Sequence, residues 1–96
     1  MLAAQADGAQ IITAAGVGNL DNPHPIQTAF VENAATQCGF CTPGLMVSIK
    51  ALLERVLNPN EAEIKEAIDG NICRCTGYTK IFDAIQDAIK TTQEAA

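Results

Sequence analysis

The sequence predicts an all-α domain: a four-helix bundle with internal pseudo-twofold symmetry, behind a short extended N-terminal segment. Three observations lead to that expectation. From Pro25 onward, apolar residues recur at helical rather than strand spacing. Proline, asparagine and glycine divide this stretch into two short and two longer runs. Cys41-Thr42-Pro43-Gly44 precedes one longer run and Cys75-Thr76-Gly77-Tyr78 the other, a weak internal repeat. The 96 residues make one domain. Such a domain removes about 60–65% of the unfolded chain's surface from water. Phe30, Phe40, Phe82 and Tyr78 are the full aromatic set, so the core must be mostly aliphatic.

Residues 1–23 differ from the rest of the chain. Gln10-Ile11-Ile12-Thr13 is β-prone, and Gly16-Val17-Gly18 and Asp21-Asn22-Pro23 come after it, so a short strand or hairpin and then a linker are expected. The helical domain is expected over residues 24–96. Its first helix places Ile26, Ala29, Phe30 and Ala34 on one side, takes Pro25 in its first turn and ends before Gln37. The second carries Leu45, Ile49, Leu52, Leu53 and Val56 on one face, with Thr42 as N-cap and Pro43 following, so Cys41 lies immediately before it. Asn58-Pro59 stops that helix. Asn60 and Glu63 form a capping box for a short third helix through Ile64 and Ile68, which Gly70 closes. The fourth follows Thr76, with Tyr78, Ile81, Phe82, Ile85, Ala88 and Ile89 on its apolar side, and frays into Thr91-Thr92-Gln93-Glu94.

Charge and hydropathy exclude several roles. Eleven acids against six bases give a net charge of −5 with no Lys/Arg cluster, which leaves no electrostatic footprint for nucleic acid and disfavours anionic membranes. No stretch approaches the ~18 apolar residues of a membrane span. The N-terminus lacks the basic and apolar regions of a secretory signal. A soluble chain in the reducing cytoplasm is expected, with export on a partner's signal as the other route.

The chemistry is concentrated in four cysteines, Cys38 and Cys41 as C-x-x-C and Cys73 and Cys75 as C-x-C. Each pair can clamp one iron or zinc, and the two clamps together offer four sulfurs. Both clamps precede helices, where free N–H groups and the positive end of the dipole favour thiolate. Two ferric ions, two sulfides and four thiolates sum to a dianion, and to a trianion on reduction, which would gain from the helix ends and from Arg74 between its own ligands. The tight C-x-C suits a 2Fe-2S cluster better than a zinc knuckle. A structural zinc adaptor stays open on these grounds, as does a thiol-disulfide protein using Cys38-Gly39-Phe40-Cys41. His24 reads as a helix-start residue rather than a ligand, Tyr78 as an interface residue with a satisfied hydroxyl, Met46 as core, and Lys65, Glu66 and Asp69 as a solvated face. Gly39, Gly44 and Gly77 read as turn residues or as points where backbone N–H groups approach sulfur.

Gln37-Cys38-Gly39-Phe40-Cys41-Thr42-Pro43-Gly44, a gap of 31 residues between Cys41 and Cys73, and Gly70-Asn71-Ile72-Cys73-Arg74-Cys75-Thr76-Gly77-Tyr78 resemble the helical 2Fe-2S domain of the molybdenum hydroxylases. These include xanthine dehydrogenase, aldehyde oxidoreductase and carbon monoxide dehydrogenase. The likeness runs from about His24 to Ile89, and His24-Pro25-Ile26-Gln27 and Ala29-Phe30-Val31-Glu32 resemble the family's first helix. The start, Met1-Leu2-Ala3-Ala4-Gln5-Ala6-Asp7-Gly8, resembles the stretch following an N-terminal ferredoxin-like domain whose own ligands are not in this sequence. The resemblance implies that Cys38, Cys41, Cys73 and Cys75 ligate one 2Fe-2S cluster, that Gln37 reaches a molybdopterin, and that Cys75 is the ligand nearest it. It also implies partners: a molybdopterin-binding large subunit, a ferredoxin-like 2Fe-2S domain and an FAD subunit. The chain's part would be to relay electrons from the molybdenum centre, with no catalytic residue of its own.

Overall fold

Local side-chain chemistry sets the helix boundaries in the computed structural model, which describes residues 2–19, 21–56 and 58–95, with side chains as far as Thr92. Helix α1 (Pro25–Glu32) starts at His24, whose Nδ1 accepts the Ile26 N–H at 3.1 Å while Gln27 Oε1 accepts the His24 N–H at 2.9 Å. It ends in a Schellman turn, in which Ala35 N–H donates to Phe30 O at 2.9 Å and Ala34 N–H to Val31 O at 3.3 Å. Ala34 takes the left-handed place usual for glycine, with φ +52°. That turn reverses the chain, so Ala35 enters the core and Ala34, expected there, is exposed.

Helix α2 (Thr42–Arg55) begins one residue earlier than expected. Cys41 is its N-cap, and its carbonyl takes the Leu45 N–H at 3.1 Å. Thr42 stands within the helix, its hydroxyl 3.3 Å from that of Thr36. Helix α3 (Glu61–Ile68) carries the expected capping box: Asn60 Oδ1 accepts the Glu63 N–H at 2.9 Å and Glu63 Oε1 the Asn60 N–H at 3.1 Å. A turn with Gly70 at φ +94° closes it, bringing Asn71 N–H to Ile68 O at 3.0 Å. Helix α4 (Thr79–Ala95) starts later than expected because Gly77 and Tyr78 both adopt left-handed backbone, φ +66° and +71°. Tyr78 therefore precedes the helix whose apolar face it was expected to join. The expected fraying is also not observed: the helix continues to Ala95, and the Thr91 and Thr92 hydroxyls donate back to Asp87 O and Ala88 O.

The short helix of each half packs on the long helix of the other, α1 on α4 and α3 on α2, the exchange an internal twofold produces. Ile26 and Phe30 of α1, Leu45, Ile49 and Leu52 of α2, Ile64 of α3, and Ile81 and Ile85 of α4 are sealed from water. Each such side chain contributes about 1.5–3 kcal/mol by burial. Asn33 Nδ2 adds a polar tie from the end of α1 to Asp87 Oδ2 on α4 at 2.7 Å.

The strand or hairpin expected near residues 10–13 is not found; no strand occurs among the described residues. Short 3-10 turns at Ala3–Ala6 and Ala14–Gly16 stand instead, and Ile11 and Ile12 are exposed. A lone β-prone run with no neighbouring strand has no ladder to join. The Ala14–Gly16 turn packs on α2 and Val17 is buried, so this part of the expected linker belongs to the core. Met1 and Ala96, at the outer limits of the two expected segments, lie outside the described residues. No helix among the described residues is long and apolar enough to cross a membrane.

Candidate metal centre

The two cysteine motifs meet at one end of the bundle. Cys38, Cys41, Cys73 and Cys75 line a recess of about 170 Å³ together with Phe40, Ile72 and Arg74. All four thiols are unbridged. The sulfurs come within hydrogen-bonding reach across the motifs, Cys38 with Cys75 and Cys41 with Cys73.

In each cross-motif pair one sulfur is shifted toward thiolate and its neighbour toward thiol. The Phe40 N–H, 3.5 Å from Cys38 Sγ, and then the Cys75 thiol pull Cys38 below the usual thiol range, while hydrogen bonding with Cys38 raises Cys75. Hydrogen bonding from Thr76 draws Cys73 down to about 7, while burial and the Cys73 sulfur raise Cys41. The sequence predicted that helix N-termini would favour thiolate at both clamps. Cys41, the N-cap itself, goes the other way because it is partly desolvated.

Helix geometry positions the first motif. Gly39, at φ +86°, turns the chain between its cysteines, and Cys41 is fixed by the first turn of α2. The second motif is fixed by side chains instead. Tyr78 Oη accepts the Cys73 N–H at 2.7 Å and donates to Asn71 O at 3.3 Å. Asn71 Nδ2 donates to Ser48 Oγ on α2 at 2.9 Å, and a Cβ on Gly44 would lie 2.6 Å from Asn71 Oδ1. A glycine in the first turn of α2 thus admits the asparagine that ties the second motif to the first. Sequence reasoning passed over Ser48, and took Asn71 and Thr76 only as parts of a motif. Their one legible signal was position, Asn71 and Thr76 flanking the C-x-C.

Gln37 is exposed immediately before Cys38, and Cys75 is exposed on the recess. Phe40 and Ile72 at its rim are 92% and 83% exposed. Tyr78 is half-buried with its hydroxyl satisfied, His24 caps α1, Met46 is core, and Lys65, Glu66 and Asp69 are exposed, each as the sequence suggested.

The donor set fits a two-iron cluster better than one zinc ion. Two sulfur pairs spanning one recess match two irons with two thiolates each.

The [2Fe-2S] binding domain model matches residues 13–86. Xanthine dehydrogenase of Emericella nidulans is 51% identical over 80 residues, spanning 83% of this chain and 6% of that protein. The nicotinate dehydrogenase small FeS subunit of Eubacterium barkeri is 48% identical over 90 residues, 94% of this chain and 57% of the relative. Quinoline 2-oxidoreductase from Pseudomonas putida 86 superposes with a TM-score of 0.82 at 36% identity, covering 98% of this chain and 59% of that one. The chain thus spans less than two thirds of the length of each of these relatives. Over its own length, with both cysteine motifs inside the matched region, the chain belongs to the [2Fe-2S] binding domain family.

Proposed function

We propose that this chain is the electron-transfer component of a molybdenum hydroxylase, with Cys38, Cys41, Cys73 and Cys75 holding one 2Fe-2S cluster. The convergence of both motifs on one recess, with sulfurs meeting across them, is the observation that carries this reading. When bound, such a cluster accepts and returns single electrons. The chain itself brings four cysteine sulfurs to one point, lends the Phe40 N–H to Cys38 Sγ and shields Cys73 from water. It supplies no group to the substrate's chemistry.

The recess faces outward, and Gln37 and Cys75 are exposed beside it. We assign Gln37 and Cys75 to contact with a molybdopterin carried by a large subunit, whose docking would cover the apolar rim of Phe40 and Ile72. The segment ahead of the Ala14–Gly16 turn connects to a ferredoxin-like 2Fe-2S domain, that turn together with the four helices forms the cluster domain, and an FAD subunit receives the electrons. Four unbridged thiols fit a reducing cytoplasm, and a partner's signal is the route to the periplasm. Relatives that are a small FeS subunit and an aldehyde oxidoreductase support the same reading.

Copurification tests the assembly. The chain should come down with a partner, and the complex should contain iron, molybdenum and flavin. An iron-containing complex lacking molybdenum would refute the assembly and leave the cluster standing.

A further inference from the structure

Cys73 is gripped at two of its atoms. Its N–H donates to Tyr78 Oη at 2.7 Å, and its Sγ lies 3.2 Å from Thr76 Oγ1. Thr76 Oγ1 also accepts the Tyr78 N–H at 3.1 Å. That bond uses the oxygen as acceptor and leaves the one hydroxyl proton for sulfur. A thiolate bound to iron has no proton to give, so the bond to Cys73 has one direction, from threonine to sulfur. The turn that makes this possible is strained, because Gly77 and Tyr78 are both left-handed and Tyr78 carries a bulky side chain there. Helix α4 begins only after it. The first motif has only a weaker counterpart: there Cys38 receives a backbone N–H from Phe40, while Thr42 faces Thr36 and acts on the Cys41 sulfur only as a minor influence.

We propose that Thr76 is a positioning residue for the cluster, its hydroxyl donating to Cys73 Sγ in the ligated state and holding the reduction potential up. The proposal rests on the 2Fe-2S reading above. A donor aimed at sulfur stabilises negative charge, and the reduced cluster carries one unit more than the oxidised, so reduction is favoured. Thr76 is also the largest influence drawing the free Cys73 thiol toward thiolate.

The test uses the cluster-loaded protein and three variants: Thr76→Val, which keeps the shape without the hydroxyl, Thr76→Ala, which lacks both, and Thr76→Ser, which restores the hydroxyl. Midpoint potentials are read from the visible bands during mediated titration, and the reduced state from its paramagnetic resonance. The valine variant should shift the reduction equilibrium about tenfold toward the oxidised form, about 59 mV for one electron. The serine variant should return it to the parent value. An unchanged potential in a fully loaded valine variant would overturn the proposal. Should valine fail to load, alanine decides by the same shift. Failure of both with normal loading by serine identifies the hydroxyl as what holds Cys73, and failure of all three overturns the proposal. A parent protein with zinc or no metal defeats the 2Fe-2S reading itself, and this inference with it, before any variant is made.

Discussion

Cys41 and Cys75 open equivalent stretches of the internal repeat, yet the two halves of the molecule hold their cysteine motifs by different means. In the first half the helix does it: Cys41 is the N-cap of α2, and its placement follows from backbone geometry. In the second half α4 starts only at Thr79, and Tyr78, Thr76 and Asn71 hold the C-x-C by side-chain hydrogen bonds. A repeat in sequence thus preserves the end point, a sulfur at the recess, without preserving the support. Each half is therefore vulnerable in a different place. The first should tolerate polar substitutions near its cysteines, and the second should not.

The ligands themselves are where the halves should behave alike. Replacing Cys73 or Cys75 by alanine should abolish the visible chromophore and iron retention as completely as replacing Cys38 or Cys41. Survival of a function that needs only the C-x-x-C, measured as thiol-disulfide turnover, would point to the redox alternative instead.

Next in size is Tyr78→Phe, which leaves the Cys73 N–H without its acceptor. Urea melts of the metal-free chain should show a loss of about 1–3 kcal/mol. Thr42→Val in the first half, where the hydroxyl meets Thr36 at an exposed site and touches the Cys41 sulfur only weakly, should change stability by no more than about 0.5 kcal/mol. Equal losses would erase the distinction between the halves.

The short helices differ in how acid affects their caps. His24 caps α1 through an unprotonated Nδ1, whereas α3 is capped by Asn60, which does not titrate. Burial first, and then Lys50, holds the His24 imidazole below its ordinary value. The unfolded chain therefore binds a proton more readily than the folded one. Stability is full above about pH 6.5 and falls as the pH drops through the ordinary histidine range toward the lowered folded value. Loss of the cap is worth about 1 kcal/mol. Melts at descending pH should show this decline, and His24→Asn should remove it; an identical slope in the variant would exclude His24 as the cause.

The smallest effect concerns the turn between α1 and the first motif. Ala34 sits in left-handed backbone that glycine adopts without penalty, so Ala34→Gly should raise stability by about 0.5–1 kcal/mol. A drop in melting temperature would contradict this.

Helix existence was legible because apolar spacing and capping chemistry are local properties. Asn60, Glu63 and Gly70 act at the positions their residue types suggest. What the sequence could not disclose depended on distant partners. The β-prone Ile11 and Ile12 had no second strand to pair with, and Val17 found a buried place through packing of its turn on α2. Tyr78 fits the apolar stripe of α4 by spacing, yet it leaves the helix because its hydroxyl reaches Cys73 and Asn71. At the candidate site the four cysteines were legible by type and spacing. Their pairing across motifs was not, since spacing describes neighbours along the chain and not which sulfurs the bundle brings face to face.

The electron-transfer role depends on both motifs serving one two-iron site. Iron, zinc and acid-labile sulfide per chain, measured on anaerobically isolated protein together with its visible spectrum before and after dithionite, decide whether they do. A brown protein with two irons and two sulfides per chain, whose absorption bleaches on reduction, is the expected result. A colourless protein with one zinc per chain would contradict it.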